Sequence, residues 1–393
     1  MHLHEYQAKD LLTSYQLPIP PYRVAASVPE AEAAIRAEHW KSGVVKAQVH
    51  AGGRGKNGGV VVAHSPEDLL AAVDQLLHMQ FSSNQTAGLS LPVNKVLLSP
   101  LIEIALEYYL AIVIDRKHHC PVIMLSKAGG INIEEVAEKH PDQLLKLALP
   151  SSGKIYAYQL RRIAKFMNWD QFIADQGNRI VRQLVQCFYE NDASLLEINP
   201  LVLTKDGTLV VLDAKMTIDD NALYRHPQLA DCYDPSQENR RDVLAKQLGL
   251  SYIALDGTIG CLVNGAGLAM STLDILKLYG GSAANFLDVG GSASEKQIQE
   301  AISLVLSDKN VRVLFIHIFG GIMDCDVVAS GLVSAMQGEK EVVPTVIRLE
   351  GTNVDKGKER ILSAGIPCEF VASMGEGAEL AVRLSHEQGE EQC

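Results

Sequence analysis

Gly53, Gly55 and Gly58 stand in the spacing G-x-G-x-x-G directly after the apolar run Val44-Val45-Lys46-Ala47-Gln48-Val49. Glycines so spaced let backbone N–H groups come close to phosphate oxygens, which makes a nucleotide the first chemistry to consider. A dinucleotide-binding loop opens a helix, whereas here Gly59-Val60-Val61-Val62-Ala63 is β-branched and predicts a strand. Strand, glycine loop, strand is the arrangement with which a hairpin covers nucleotide phosphates. Lys46 on the first strand and Arg54 and Lys56 in the loop would supply the positive charge. The competing assignment is a plain surface turn. No G-x-x-x-x-G-K-[ST] segment occurs elsewhere in the chain.

A second constellation lies in Leu195–Leu203 and Thr208–Lys215, two strands joined by Lys205-Asp206-Gly207. A three-residue loop with Gly207 in the left-handed region pairs Thr204 with Thr208 and sets Asn199 opposite Asp213. Period-two alternation then gathers Glu197, Asn199, Asp213 and Lys215 on one face. A two-residue turn would instead put Asn199 and Asp213 on opposite faces. One amide oxygen and one carboxylate suit Mg²⁺, which keeps waters and nucleotide phosphates in its other positions. Further on, Asn264-Gly265-Ala266-Gly267 leads into a helix whose first turns lack acidic residues, a site for phosphate or carboxylate. Met270 departs from the Gly or Ala that a dinucleotide loop wants there.

Two halves must position these groups. Up to about residue 240 helices mix with short strands and hairpins. The polar stretch Asp231–Arg241 interrupts this pattern, and regular strand and helix alternation follows from about Ser251. The expected division is 1–240 and 241–393. In the second half strands are predicted at 259–263, 285–289, 311–318, 343–349 and 367–371, and helices near 268–279, 294–307, 326–337, 354–364 and 376–386. That is α/β architecture with a doubly wound parallel sheet, whose ligands bind at the carboxyl edge. The loops at that edge are Asn264–Gly267, Asp288–Gly291, Phe319–Ile322 and Glu350–Asn353.

Composition narrows the class. The 393 residues are 47% hydrophobic and 21% charged, as in a soluble globular protein, and no stretch approaches a membrane span. The start Met1-His2-Leu3-His4-Glu5 lacks a basic region followed by an apolar run, so a cytoplasmic location is expected. A net charge of -12 without clustered Lys and Arg argues against nucleic acid. Seven scattered cysteines with no C-x-x-C fit neither a disulfide framework nor a zinc site.

Taken together the segments resemble the β subunit of succinyl-CoA synthetase (succinate–CoA ligase), from His4-Glu5-Tyr6-Gln7-Ala8-Lys9 nearly to the C-terminus. The specific blocks are Gln48–Lys56, Glu197–Leu201, Val263–Gly267, Asn285–Gly291 and Ile318–Ile322. The resemblance implies an ATP-grasp domain of two α+β lobes followed by a flavodoxin-like CoA-ligase domain. By matching positions, Lys46, Gly53, Arg54, Gly55, Ser99, Ile102 and Glu107 would contact the nucleotide, and Asn199 and Asp213 would hold one Mg²⁺. Asn264, Gly321, Ile322 and Met323 would meet the acid substrate, and Glu197 would steady a phosphohistidine. That histidine and most CoA contacts are expected on a partner α subunit, leaving His50 and His317 structural. The implied reaction runs from nucleotide to the α histidine, then to succinate, after which CoA displaces phosphate from succinyl phosphate. ATP/ADP or GTP, succinate or malate, and an αβ pair or its doubled form all stay open. Two positions depart from the family pattern. Ser99 stands where an acidic residue is expected. Asp324 stands where a basic one is, and would tend to repel a dicarboxylate. A non-catalytic binding subunit and an NAD-dependent oxidoreductase are the readings outside this class.

Overall fold

The computed structural model describes residues 1–83, 86, 89–130, 133–337 and 343–390. Two compact units make up the chain, Met1–Gln237 and Glu238–Cys393.

Among the described residues the first unit holds two helix-covered antiparallel sheets and a two-stranded ribbon, Gln80–Phe81 with Leu91–Pro92. The smaller has the order Arg23–Ala25, Val96–Ser99, Gly43–Ala47, Val60–Ala63. Helices Val28–Glu38 and Pro66–Leu77 lie on it, burying Ala31, Ile35, Leu69, Val73 and Leu76 against Val45 and Leu98. Both helices start alike. Ser27 and Ser65 accept hydrogen bonds from the N–H of Glu30 and Asp68, each with proline in the first turn where no N–H is missed. The larger sheet has the order Leu209–Val211, Ala193–Thr204, Ile104–Asp115, Cys120–Ser126, Leu144–Ala148, and Ala214–Ile218 also pairs with Ala193–Thr204. Helices Glu5–Ser14, Ala157–Met167 and Gln171–Glu190 contribute to its core. Within the last of these, a Cβ on Gly177 would fall 2.1 Å from the Trp169 ring, so glycine is what lets the indole pack there.

Gly207 sits at φ +85 in the 204–208 turn, and Thr204 N–H donates to Thr208 O at 2.9 Å. This is the three-residue hairpin predicted above. Its register continues through Leu201 with Val211, Asn199 N–H to Asp213 O at 3.3 Å, and Glu197 with Lys215.

In the second unit the sheet order is Ser251–Ala254, Asn285–Asp288, Ile259–Val263, Val313–Asp324, Thr345–Thr352, Cys368–Phe370. Ignoring the first strand, this is the parallel order 2-1-3-4-5 of flavodoxin-like folds. Ser251–Ala254 is an antiparallel edge that the sequence reading lacked, bonded to Asn285–Asp288. The third parallel strand also outruns its expected end at 318, because residues 318–320 stay paired with 349–351. Helices cover both faces: Glu295–Leu306 and Cys325–Met336 pack on Leu262, Leu314, Ile316 and Ile347. Ala266–Leu278 and Met374–Glu390 pack on Ile259, Cys261, Phe315 and Val346. Alternate residues of each strand thus enter different cores, which is why these strands are continuous apolar runs.

His317 is buried on the central strand. Thr272 Oγ1 donates to Leu268 O at 2.7 Å and so accepts from His317 Nδ1 at 2.9 Å, leaving Nε2 to accept from Arg348 at 2.9 Å. Burial, with Arg348 beside it, pushes this imidazole down to about 4. Its charged form is disfavoured in the folded state. Its contribution to stability is therefore complete above the unfolded value of 6.5 and is lost as pH falls toward 4. Melting temperatures of His317→Gln should decline less steeply than wild type between pH 6.5 and 4, and parallel curves would rule out this source of acid sensitivity.

Candidate nucleotide and acid sites

The strands Gly43–Ala47 and Val60–Ala63 pair antiparallel, with Lys46 opposite Val60. The intervening loop folds on itself through one 3-10 turn at Gly55–Asn57. Gly53 and Gly58 have φ of +72 and +74, which side chains with a Cβ rarely adopt. Gly59 N–H donates to Arg54 O at 2.8 Å, closing the loop.

Between this loop and the 193–218 hairpin lies a cavity of about 590 Å³, with Gly53, Arg54, Glu197, Asn199, Asp213 and Lys215 among its walls. The Arg54 guanidinium crosses from the loop to the hairpin. It donates to both carboxylate oxygens of Asp213 at 2.9 and 3.0 Å, to Ala47 O at 3.0 Å, and pairs with Glu5 Oε2 at 2.8 Å. Lys46 Nζ donates to Glu5 Oε1 at 2.9 Å and Leu212 O at 3.1 Å. On the hairpin, Asn199 Oδ1 accepts from Gly130 N–H at 2.8 Å and its Nδ2 donates to Glu197 Oε1 at 3.2 Å. Burial holds the Glu197 carboxyl above its ordinary range and nearby Asp213 and Glu134 add to this, against Lys215 and the Asn199 hydrogen bond.

An amide oxygen and a carboxylate facing one cavity fit the hard-oxygen preference of Mg²⁺. Among the described residues no group of three or more His, Cys, Asp or Glu side chains forms a metal cage. Asp213 would have to release Arg54, at least in part, to serve.

Four expected nucleotide residues are not on this wall, Lys46, 6% exposed, among them. Ser99 is 3% exposed and stands opposite Val44. Ile102 is half-buried in the segment that follows it. Glu107 lies opposite Val202, its carboxylate beside Gly130. Glu5 and His50 are among the wall residues that were not anticipated. Glu5 belongs to the buried stripe Glu5, Ala8, Lys9, Leu12 of its helix, so charge inside an i, i+3, i+4, i+7 pattern was the available signal. His50, read as structural, also lines the cavity. Burial, with His4 and His2 beside it, pushes its imidazole down to about 3.

In the second unit, helix Ala266–Leu278 opens on Gly265 at φ +95, with no side-chain cap and no acid in its first turn. Its first N–H groups are where an anion was expected. Asp288 Oδ1 fastens the approach, accepting from Gly265 N–H at 2.5 Å and Gly290 N–H at 2.7 Å. The Asn264 amide is committed elsewhere: it accepts from Phe319 N–H at 2.9 Å and donates to Phe319 O at 3.0 Å. It ties two strand ends together. Met323 is 1% exposed and packs in the core, so only its backbone could serve a ligand, while Ile322 is 84% exposed. Gly321 O accepts from Thr352 Oγ1 at 3.1 Å.

Asp324 has a structural role. Its Oδ1 accepts from Asp326 N–H at 2.8 Å, capping helix Cys325–Met336, and its Oδ2 accepts from Asn353 at 2.8 Å. Asp324→Ala should cost about 1 kcal/mol of stability. With both oxygens engaged, its removal should leave the preference between succinate and malate unchanged. A denaturation curve and competing-acid assays check the two halves of that expectation.

Residues 2–203 match the ATP-grasp domain family and residues 262–380 the CoA-ligase family. The chain is 89% identical to the succinate–CoA ligase (ADP-forming) subunit beta of Chlamydia trachomatis serovar D, over 98% of this chain and 100% of that one. It is 87% identical to the protein of that name from Chlamydia muridarum, with the same coverage. Against that from Chlamydia caviae identity is 70%, over 98% and 99%. Among solved structures, ATP citrate lyase from Methanothrix soehngenii, in complex with citrate and coenzyme A, shares the fold at a TM-score of 0.73 and 17% identity, over 97% and 99% of the two chains. Near-identity along the whole length, with both domain families in the same order, leaves one conclusion: the chain belongs to the β-subunit family of ADP-forming succinate–CoA ligase.

Proposed function

We propose that this chain binds nucleotide and Mg²⁺ in a phosphoryl relay completed by a separate α subunit. The assembled enzyme interconverts succinate, CoA and ATP with succinyl-CoA, ADP and phosphate, a step of the tricarboxylic acid cycle. The observation that carries this reading is the meeting of Arg54 from the glycine loop with Asp213 and Asn199 of the hairpin around one cavity. Each would take one part of a metal-bound polyphosphate. Mg²⁺ held by Asn199 and Asp213 would neutralise charge on the β and γ oxygens. Arg54 and Lys46 add cationic charge, and the loop N–H groups of Gly53 and Gly55 line the approach.

A phosphoacceptor on another chain agrees with the state of two histidines here. His317 has both ring nitrogens hydrogen-bonded in the core, and those of His50 are buried. Glu197 on the cavity wall would receive the partner's phosphohistidine, and the bare start of helix Ala266–Leu278 would hold an anionic intermediate in the second unit. Among the described residues no helix is long and apolar enough to cross a membrane, and we place the enzyme in the cytoplasm.

Co-expression with the α chain tests the reading. Radiolabelled ATP with Mg²⁺ should label a histidine of α, ADP should be released, and succinate with CoA should discharge the label faster than malate does. GTP in parallel reads base preference. No labelling from either nucleotide would overturn the proposal.

A further inference from the structure

Glu5 sits where three cations converge. Its side chain is 1% exposed; Oε1 takes Lys9 Nζ at 2.8 Å and Lys46 Nζ at 2.9 Å, and Oε2 takes Arg54 at 2.8 Å. Burial alone would raise its carboxyl, yet Lys46, Lys9 and Arg54 hold it well below the ordinary range, so it stays ionised. An isolated charge so deep would be costly, and the fold keeps this one only with its partners in place. Two of those partners, Lys46 and Arg54, come from different parts of the glycine hairpin, its strand and its loop. The third, Lys9, lies one turn along Glu5's own helix and is itself buried. The carboxylate therefore joins the helix Glu5–Ser14 to two of the hairpin's cations.

Arg54 is shared between two carboxylates, and only one of them belongs to the candidate metal pair. Were Asp213 to turn to a metal ion, Glu5 would still hold the guanidinium through Nη2. Nη2 makes all of these carboxylate contacts, so the one N–H freed from Asp213 would then be open to a phosphate. Without Glu5, the Lys46 ammonium keeps, among the described residues, Leu212 O, and Arg54 keeps Asp213 and Ala47 O.

We propose that Glu5 is a positioning residue for the nucleotide half-reaction, aiming Lys46 and Arg54 at the polyphosphate while touching no substrate itself. This rests on the function proposed above. The assembled enzyme provides a test with an internal control, since its α histidine can be phosphorylated from ATP or, by reversal, from succinyl-CoA and phosphate without nucleotide. In Glu5→Gln, phosphorylation from ATP should slow and the KM for ATP should rise, together by about 10- to 100-fold in kcat/KM. Phosphorylation from succinyl-CoA and phosphate should stay within about twofold of wild type per folded enzyme. Glu5→Asp keeps the charge but withdraws it by one methylene. It should fold even where the glutamine variant does not, and show the same ATP-selective defect in milder form. Equal losses in both routes, or a wild-type KM for ATP in Glu5→Asp, would make Glu5 a purely structural ion and overturn the proposal. Failure of the wild-type enzyme to label from ATP would instead strike the functional reading, leaving the two failures distinct.

Discussion

Replacing Asp213 by asparagine should slow phosphohistidine formation from ATP on the order of 10²–10³-fold, the scale of losing one preorganised electrostatic contact to a transferring phosphoryl group. An amide can still offer one oxygen, but it cannot offset the charge of a divalent ion. Calorimetric titration with ADP should lose its dependence on Mg²⁺ concentration. The substitution also strips Arg54 of one of its two carboxylates, so a stability loss of about 1–3 kcal/mol is expected beside the kinetic one. Unaltered Mg²⁺ dependence in the folded variant would remove Asp213, and with it the hairpin, from the metal site.

Glu197→Gln should separate function from stability more sharply. If this carboxylate steadies the partner's phosphohistidine, phosphorylation should fall about 10²–10³-fold whichever side supplies the phosphate. Stability should move the other way. Burial raises the folded carboxyl above its unfolded value of 4.5, so its contribution is fully present below that value and is lost as pH rises through the folded one. Glutamine does not ionise and escapes that loss. The variant's melting temperature should draw ahead of wild type as pH climbs from 4 to neutrality, and a less stable variant at pH 7 would contradict the burial account.

The parts that were legible in the residues have local causes. Turn chemistry at Lys205-Asp206-Gly207 set the pairing of Asn199 with Asp213, because in an antiparallel hairpin one turn determines every later partner. The β-branched run after Gly58 separated a strand from a helix. Strands buried on both faces in the second unit were visible as apolar runs. What escaped has tertiary causes. Ser251–Ala254 is a short strand with a single neighbour and little burial, so its side chains carry no clear period. The continuation of Val313–Asp324 past residue 318 depends on pairing with 349–351, which no local signal encodes. Glu5 became a partner of Arg54 and Lys46 only when a helix from the chain start met the hairpin. Asn264 and Asp324 look like ligand-facing polar residues in the sequence, yet their hydrogen bonds go to Phe319 and to a helix cap. Residue type told that they would bond, and the fold chose with what.

The bridge from Arg54 to Asp213 makes two ligands thermodynamically interdependent. An ion arriving alone would displace the guanidinium and leave it with Glu5 as its one remaining carboxylate among the described residues. A polyphosphate arriving alone would meet an acid still facing it. Delivered together, they satisfy both halves of the opened pair, so each should tighten the other's binding by the same factor. Such reciprocity disfavours futile capture of bare nucleotide or bare cation, and it originates in a contact formed before either is present.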